Sequence, residues 1–247
     1  MTQQRMAVRL LAEGAVIIVS ILLAFWIDAA WAGRMAAREE QDALAALHDE
    51  AIANRAILAD VIGRVERDYA SARAFFEMAV DESSAAPVEV ADPALQSLWR
   101  PNTYSLKTGA LGGLTSSGRL NLLRDAGLRE LLANWQSQAT DLAERHQNLA
   151  GLEVEVLKAL GRHPDVQAWL MTRAGQSRPS SAATGASELT PPPGSLVSFD
   201  LRSIREDREA MAPAAAMQFQ RQVYLMVLTQ LASQLDLVVE ALEVARH

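Results

Sequence analysis

The sequence predicts an all-α protein in which one N-terminal transmembrane helix continues into a long antiparallel helical bundle with a coiled-coil-like character. Three observations predict this fold. One apolar run lies near the N-terminus, apolar residues recur every three or four positions over long stretches, and only 5% of the residues are aromatic while Ala and Leu are abundant. This composition favours helices that pack through small and unbranched side chains over a β-sandwich.

The apolar run spans Gly14–Ile27 and is bounded by Glu13 and Asp28. With its flanks, residues 10–32, it is long enough as a helix, at roughly 1.5 Å per residue, to cross a hydrocarbon core of about 30 Å. No other stretch of the chain is comparably apolar. We therefore predict a membrane anchor at residues 10–32, which gives the protein a lipid bilayer as its first partner.

A cleaved signal peptide is the main alternative for this segment. Arg5 and Arg9 form a positive n-region, and residues 30–32 resemble an A-x-A cleavage site. The bulky Trp26 and the charged Asp28 are unusual so near a cleavage point, and the helical pattern continues beyond it. A soluble core helix is also disfavoured, because the run has no polar face. A retained anchor is the preferred interpretation.

Two aromatic residues and an acid mark one predicted boundary of the bilayer. Trp26 and Trp31 lie where aromatic rings are enriched, at the membrane–water interface. Asp28, between them, is then an interfacial acid.

A second group of residues in the segment could contact a partner helix. Glu13 lies four residues after Arg9, which allows a local ion pair, but intramembrane acids usually face protein or water. Ser20 and Ala24 form a small-xxx-small pair that permits close helix approach. Both interpretations of Glu13 stay open. The candidate interface residues are Glu13, Ser20, Ala24, Trp26, Asp28 and Trp31.

The basic residues on the two sides of the anchor are nearly equal in number, so they favour one orientation in the membrane only slightly. Arg5 and Arg9 precede the anchor, and Arg34 and Arg38 follow it. The amino terminus favours a cytoplasmic N-terminal tail. We expect a single-pass protein of a bacterial inner membrane with its bulk in the periplasm.

The pattern along the chain divides it into five parts. We predict an N-terminal tail (1–9), the anchor (10–32), a helical bundle core (33–174), a flexible Ser/Pro/Gly linker (175–195) and a C-terminal helix that packs on the bundle (196–247).

The first predicted helix of the bundle runs from Arg34 to Val80 as a direct continuation of the anchor. Asn54 and Asp68 occupy two positions in its apolar stripe. The apolar or small members of that stripe are Leu44, Leu47, Ala51, Leu58, Val61, Val65, Ala72, Phe75 and Ala79.

Two further long helices are predicted. One opens at Asp125 and continues to Leu160, with a shorter helical piece at 165–173. The last runs from about Pro213 to Val244 and is interrupted by Gln and charged residues too often to be a second membrane span. Residues 81–93 are predicted to be a polar loop, with Asp92 and Pro93 opening a short helix.

A glycine-rich stretch at 105–124 is predicted to form short, tight turns. Its candidate turn residues are Gly109, Gly113, Ser117, Gly118 and Arg119. Gly109, Gly113 and Ser117 are four residues apart, so one face could admit a neighbouring helix. Arg119 and the hydroxyls beside it could contact an anionic group. A connection between helices is the favoured interpretation.

Two blocks of this chain resemble an uncharacterised family of bacterial single-span membrane proteins. The first block contains Glu13, the apolar residues 16–24, Asp28 and Trp31, and the second is residues 110–132, with a Leu-x-x-Ser-Gly-x-Leu turn at 114–120. This chain has Asp-Ala-Ala-Trp at 28–31 where the family favours an Asn-rich step. The resemblance implies an architecture and no activity.

The sequence shows no catalytic or metal-binding constellation. It has no Cys, and none of its four His residues follows a Glu by three positions, as di-iron helical bundles require. Residues 113–120 have phosphate-loop glycine spacing, but Arg119 and Leu120 replace the required Lys and Ser/Thr. The net charge of −7 argues against nucleic acid. No cofactor is expected.

These observations favour a non-enzymatic, membrane-anchored accessory or scaffold subunit. Its partner would be another membrane protein or a second copy of the chain. The alternative is an extracytoplasmic helical bundle that senses a small ligand.

Overall fold

The fold was analysed in a computed structural model that describes residues 2–81, 88–98, 103–176, 196–199 and 201–246. Side chains are described at 19–81, 94–98, 103–171 and 201–246. The all-α fold class is confirmed. In chain order, the elements are α1 (Thr2–Val80), β1 (Val88–Ala91), α2 (Asp92–Gln96), α3 (Gly109–Ser116), a 3-10 turn (Arg119–Leu122), α4 (Ala126–Leu160), α5 (Pro164–Gln176), β2 (Leu196–Phe199), α6 (Leu201–Glu206) and α7 (Arg208–Ala245).

Helix α1 is continuous from Thr2 to Val80, so the predicted anchor and the first bundle helix are one element. All nine predicted stripe residues of α1, from Leu44 to Ala79, are buried. Asn54 and Asp68 are buried too, at 0% and 7% exposure. The stripe is therefore a true core face that contains two polar side chains.

The helix boundaries follow from capping groups. The Asp125 carboxylate accepts a hydrogen bond from the Leu128 N–H at 3.1 Å and opens α4 as predicted. Asp207 accepts from the N–H groups of Glu209 (2.9 Å) and Ala210 (3.1 Å), so α7 begins five residues before the predicted Pro213. The proline lies inside the helix, where it removes one backbone hydrogen bond. The complete burial of neighbouring Ala210, Ala214 and Met217 offsets that loss.

Two short strands were not predicted. Val88–Ala91, in the predicted polar loop, pairs antiparallel with Leu196–Phe199, with Val88 opposite Phe199. Each strand has only four residues, and the pair is separated by more than a hundred residues of sequence, so neither local pattern specifies it. Residues 177–195, most of the predicted linker, lie outside the described residues.

The chain divides into two compact units, each built from separate segments. The first contains Met1–Ala51, Thr108–Leu132 and Val238–His247, and the second contains Ile52–Lys107 and Ala133–Leu237.

Within the second unit, α7 runs antiparallel to both other long helices. Arg55 of α1 lies 3.8 Å from Asp236, while the end of α1 lines a groove with Met211 and Ala215. Residues of α4 likewise meet α7 in reverse order, at His146–Tyr224 and Glu153–Arg221, and Arg162, just after α4, pairs with Glu209 near the start of α7. Therefore α1 and α4 run in the same direction.

A long return connection makes the parallel pair possible. In the second unit, Thr103 accepts a hydrogen bond from Arg64 at 3.4 Å and Lys107 pairs with Asn54, so this segment runs back along α1. Parallel neighbours in a helical bundle require a long crossover of this type.

Candidate membrane anchor and the contacts that hold the bundle

The N-terminal apolar segment exposes its large side chains on every side of α1. Eight of them between Val19 and Trp31 are at least half exposed, and Phe25 and Trp26 reach 68%. By length and composition, two helices in the described part of the chain could cross a membrane: α1 from Val19 to Val80, and α7. None of the most apolar window of α1 is buried, whereas a third of that of α7 is. The eight exposed residues of α1 are Val19, Ile21, Leu22, Leu23, Phe25, Trp26, Ile27 and Trp31.

Five of the predicted interface residues have side chains that the structure describes, and all five lie on exposed helix surface. These five are Ser20, Ala24, Trp26, Asp28 and Trp31. Glu13 lies within α1, but its side chain is outside the described ones. The structure thus brings these residues onto one helix, and their side chains are exposed among the residues that it describes.

The glycine-rich stretch is partly a helix, at Gly109–Ser116, where short turns were predicted, while Ser117 and Gly118 form a tight turn and Arg119–Leu122 a 3-10 turn. Gly109 and Gly113 lie in α3, and only Gly118, among the described residues, takes a left-handed conformation, with φ of +67°. Ser117 ends the helix, and its hydroxyl donates to the Gly113 carbonyl at 2.7 Å. A Cβ at Gly113 would meet no atom of the described residues within 4 Å, so none of their helices makes a close contact at this glycine.

A carboxylate from α1 explains why α3 is helical. Glu50 accepts hydrogen bonds from the backbone N–H groups of Ala110 (2.6 Å) and Leu111 (3.2 Å), which are in the first turn of α3. First-turn N–H groups have no partner within the helix, and a negative charge there is favourable. This contact compensates for the low helix propensity of the glycines, and it is invisible in the local sequence.

Two ion pairs hold the following turn on α1. Arg119 lies 3.0 Å from Glu39, and Arg124 lies 3.0 Å from Glu40, which also accepts from the Arg124 N–H at 2.8 Å. The sequence predicted that Arg119 could contact an anionic group. In the structure that group is the Glu39 carboxylate of the same chain.

The core of the second unit contains a buried ion pair. Arg221 of α7 is 1% exposed and lies 3.2 Å from Glu153 of α4, which is 6% exposed. Arg221 also donates to the backbone carbonyl of Ser97. Burial raises the pKa of the Glu153 carboxyl above its ordinary value, although Arg221 opposes the shift, and the nearby Asp68 adds to it. The pair connects α4, α7 and the segment after α2.

An aromatic cluster lies one helical turn away from this ion pair. The Tyr224 hydroxyl is 3.3 Å from His146 Nδ1, and the His146 ring packs against Tyr104 with ring centroids 5.2 Å apart. Burial lowers the pKa of His146 and raises those of Tyr104 and Tyr224. These groups are therefore uncharged near neutral pH, which suits a packing role.

Four residues in these contacts were not among the predicted site residues: Glu50, Glu153, Arg221 and Tyr224. The signal was present for Arg221, since it continues the buried series Ala214, Met217, Tyr224 and Leu228 at helical spacing. Glu153 likewise falls between buried Leu149 and Val156. A charge within a buried stripe predicts an internal partner.

Among the side chains that the structure describes, no group of three or more His, Asp or Glu residues is arranged to hold a metal ion. Comparisons of the chain with protein-family models, with curated proteins and with solved structures find no match. The resemblance of the two sequence blocks to a family of single-span membrane proteins therefore stays a prediction.

Proposed function

We propose that this protein is a membrane-anchored, non-enzymatic helical accessory or scaffold subunit that binds another membrane protein or a second copy of itself. The observation that carries the proposal is the N-terminal apolar segment, whose large side chains are exposed on all sides of a continuous helix. Each such side chain gains about 1.5–3 kcal/mol when it leaves water, so a bilayer stabilises the segment strongly.

The interfacial residues support the same arrangement. Trp26 and Trp31 place amphipathic rings near the predicted bilayer boundary, and Asp28 lies between them. The proposed location is a bacterial inner membrane with the bulk of the chain in the periplasm. This orientation rests on the basic residues that flank the segment.

Fractionation tests the anchor. The full chain and a chain that lacks residues 2–32 are expressed and washed with alkaline carbonate. We expect the full chain in the membrane pellet and the shortened chain in the supernatant. A full chain that is released by carbonate, or a mature chain that begins after residue 32, contradicts the proposal.

Single cysteines test the partner contact, because the chain has no Cys of its own. Ser20→Cys and Ala24→Cys place a thiol on the small-residue face, and Leu22→Cys places one on the opposite face as the control. With a bifunctional maleimide in the intact membrane, we expect crosslinks from the first two variants only. Absence of crosslinks from every variant, with a monomer in mild detergent, contradicts a scaffold or accessory role.

A further inference from the structure

The glycine-rich stretch carries the chain of the first unit towards the anchor. Helix α3 begins beside Glu50, which accepts from the Ala110 N–H, and the turn after α3 reaches Glu39 through Arg119. Glu50 and Glu39 are eleven residues apart on α1, which is about 16.5 Å of helix. Therefore α3 runs towards the anchor, and we call residues 116–122, where it ends and the 3-10 turn follows, the tip.

The end of α7 in the same unit stops farther from the anchor. His48 of α1 lies 3.9 Å from Glu243, and α7 ends two residues later, at Ala245. His48 is nine residues beyond Glu39, which is about 13.5 Å of helix farther from the anchor. The tip is therefore closer to the anchor than the end of α7 is.

The interval between the tip and the predicted bilayer is short. Glu39 follows Ala32, the predicted end of the anchor, by seven residues, or about 10.5 Å of helix. Helix α1 is continuous through this interval, so it holds the tip at this distance. The polar headgroup layer is about 5–7.5 Å thick on each side of the hydrocarbon core. The few ångströms that remain are within the reach of a side chain.

The exposed polar groups of this region suit phospholipid headgroups. Asn121 is exposed on the tip, and Arg34 and Arg38 are exposed on α1 between the anchor and Glu39. All three side chains carry N–H donors for phosphate oxygens. Glu39 and Glu40, the first two acids after the anchor, each lie 3.0 Å from an arginine, which offsets their repulsion of phosphate.

The charge of this region also favours an anionic surface. The whole chain carries a net charge of −7, but residues 33–42 and 116–129 together carry five arginines and four acids. Basic residues next to a membrane are attracted to anionic lipids. The arginines are Arg34, Arg38, Arg119, Arg124 and Arg129, and the acids are Glu39, Glu40, Asp42 and Asp125.

We propose that the tip, together with Arg34 and Arg38, contacts the phospholipid headgroups of the bilayer. The first unit then has a second attachment to the membrane besides the anchor helix. This inference rests on the proposed membrane anchor, and it names a further surface of the chain that meets lipid.

Lipid quenching in nanodiscs tests the inference, since the chain has no Cys of its own. Asn121→Cys carries a fluorescent label on the tip, and Thr108→Cys, which is exposed at the other end of α3, is the matched control. Leu23→Cys reports on the anchor. The nanodiscs contain phosphatidylcholine and phosphatidylglycerol, with a nitroxide either on the headgroup or in the acyl chain.

We expect headgroup nitroxides to quench the label at residue 121 at least about threefold more strongly than the label at residue 108, because the length of α3 places residue 108 about 12 Å farther from the bilayer. Acyl-chain nitroxides should quench the label at residue 23 and neither of the other two.

An insertion in α1 gives the second arm. Seven alanines between Gly33 and Arg34 move the tip about 10.5 Å farther from the bilayer and rotate it by only about 20° relative to the anchor. We expect quenching of the label at residue 121 to fall to the level of the control label. Quenching of the label at residue 23 should not change.

Two results overturn the inference and leave the proposed anchor intact, because the label at residue 23 is quenched in both. One is equal quenching of the labels at residues 121 and 108, and the other is quenching at residue 121 that the insertion leaves unchanged. A thiol at residue 121 that is protected from a soluble maleimide in native membranes, but is not quenched by lipid, assigns the tip to a protein partner instead. No quenching at residue 23 contradicts the anchor as well.

Discussion

The two ends of helix α1 differ in how their apolar residues are used. Between Val19 and Trp31, large hydrophobic side chains point in every direction and are at least half exposed. Between Leu44 and Ala79, the nine apolar residues of the stripe recur on one face and are at most 5% exposed. The same helix therefore presents one surface suited to lipid and another suited to a protein core. The total hydrophobicity of the two segments does not distinguish a lipid-facing surface from a core-facing one. The distribution of apolar residues around the helix axis does distinguish them.

The largest expected effect is the loss of membrane association. Leu22→Lys with Leu23→Lys places two charges at the centre of the apolar segment, each at a cost of about 2.5–3.5 kcal/mol in a bilayer. We expect this variant in the carbonate supernatant.

Phe219→Lys with Met226→Lys is the matched control, because these side chains are exposed on α7, the other helix apolar enough to cross a membrane. This control should stay in the pellet. The reverse result would assign the membrane contact to α7.

The second prediction concerns the buried ion pair. Glu153→Leu or Arg221→Met alone leaves one buried charge without its partner, and each should lower the free energy of unfolding by about 3–5 kcal/mol. The double variant replaces the pair with apolar groups and should be close to the parent. Additive losses in denaturant titration of the double variant would show that the two side chains do not act as a pair.

The third prediction compares the two ends of α1 directly. Leu58→Ala truncates a fully buried side chain and should cost about 2–5 kcal/mol. Leu23→Ala removes the same atoms from the exposed segment and should leave unfolding of the bundle in detergent unchanged. Equal losses would contradict the division of α1 into a lipid-facing and a core-facing part.

A smaller effect is expected from the cap on α3. Glu50→Ala removes the acceptor for two backbone N–H groups and should cost about 0.5–2 kcal/mol. Asp42→Ala removes an exposed acid from the same helix and should change stability by less than about 0.5 kcal/mol. Increased hydrogen exchange at residues 109–116 in Glu50→Ala alone would locate the effect in α3, and unchanged exchange there would refute it.

The smallest expected effect is a pH dependence from His146. Burial lowers its pKa below the ordinary 6.5, so the folded state binds this proton less tightly than the unfolded state does. Its contribution to stability is full above about pH 6.5 and decreases as the pH falls below that value. The raised pKa of Glu153 acts in the opposite sense, because its contribution decreases as the pH rises above about 4.5.

The difference between the parent and His146→Phe isolates the histidine. We expect the stability of the parent relative to this variant to fall between pH 7 and pH 5 in chemical denaturation. A difference that is constant over that range would contradict a lowered pKa.

Much of the helical architecture was predictable because periodicity is a local signal. The stripe from Leu44 to Ala79, the start of α4 at Asp125 and the end of α1 at Val80 all follow from side chains near one another in sequence. The start of α7 lies five residues before the predicted Pro213, because Asp207 caps the first turn and the proline lies inside the helix. Asp207 and Pro213 thus indicate different starts for α7, and the burial of Ala210 and its neighbours favours the earlier one.

The features that the sequence did not reveal depend on distant partners. The β1–β2 pair joins segments more than a hundred residues apart, and α3 is helical among glycines because Glu50 caps it from α1. Asn54 and Asp68 looked like interruptions of the stripe, yet both are buried, and Asn54 pairs with the returning backbone at Lys107. In each of these pairs the two partners are more than fifty residues apart, so no short stretch of sequence contains both.

The amino-acid sequence by itself determined that there are three long helices, which face of each is apolar, and which segment is apolar on all faces, since these properties depend on residue type and spacing. Only the tertiary structure decided that α1 and α4 run in the same direction in the second unit, and that Glu153 and Arg221 pair in its core. Those properties depend on which distant residues meet, and buried polar groups are stable only where such a meeting supplies their hydrogen bonds.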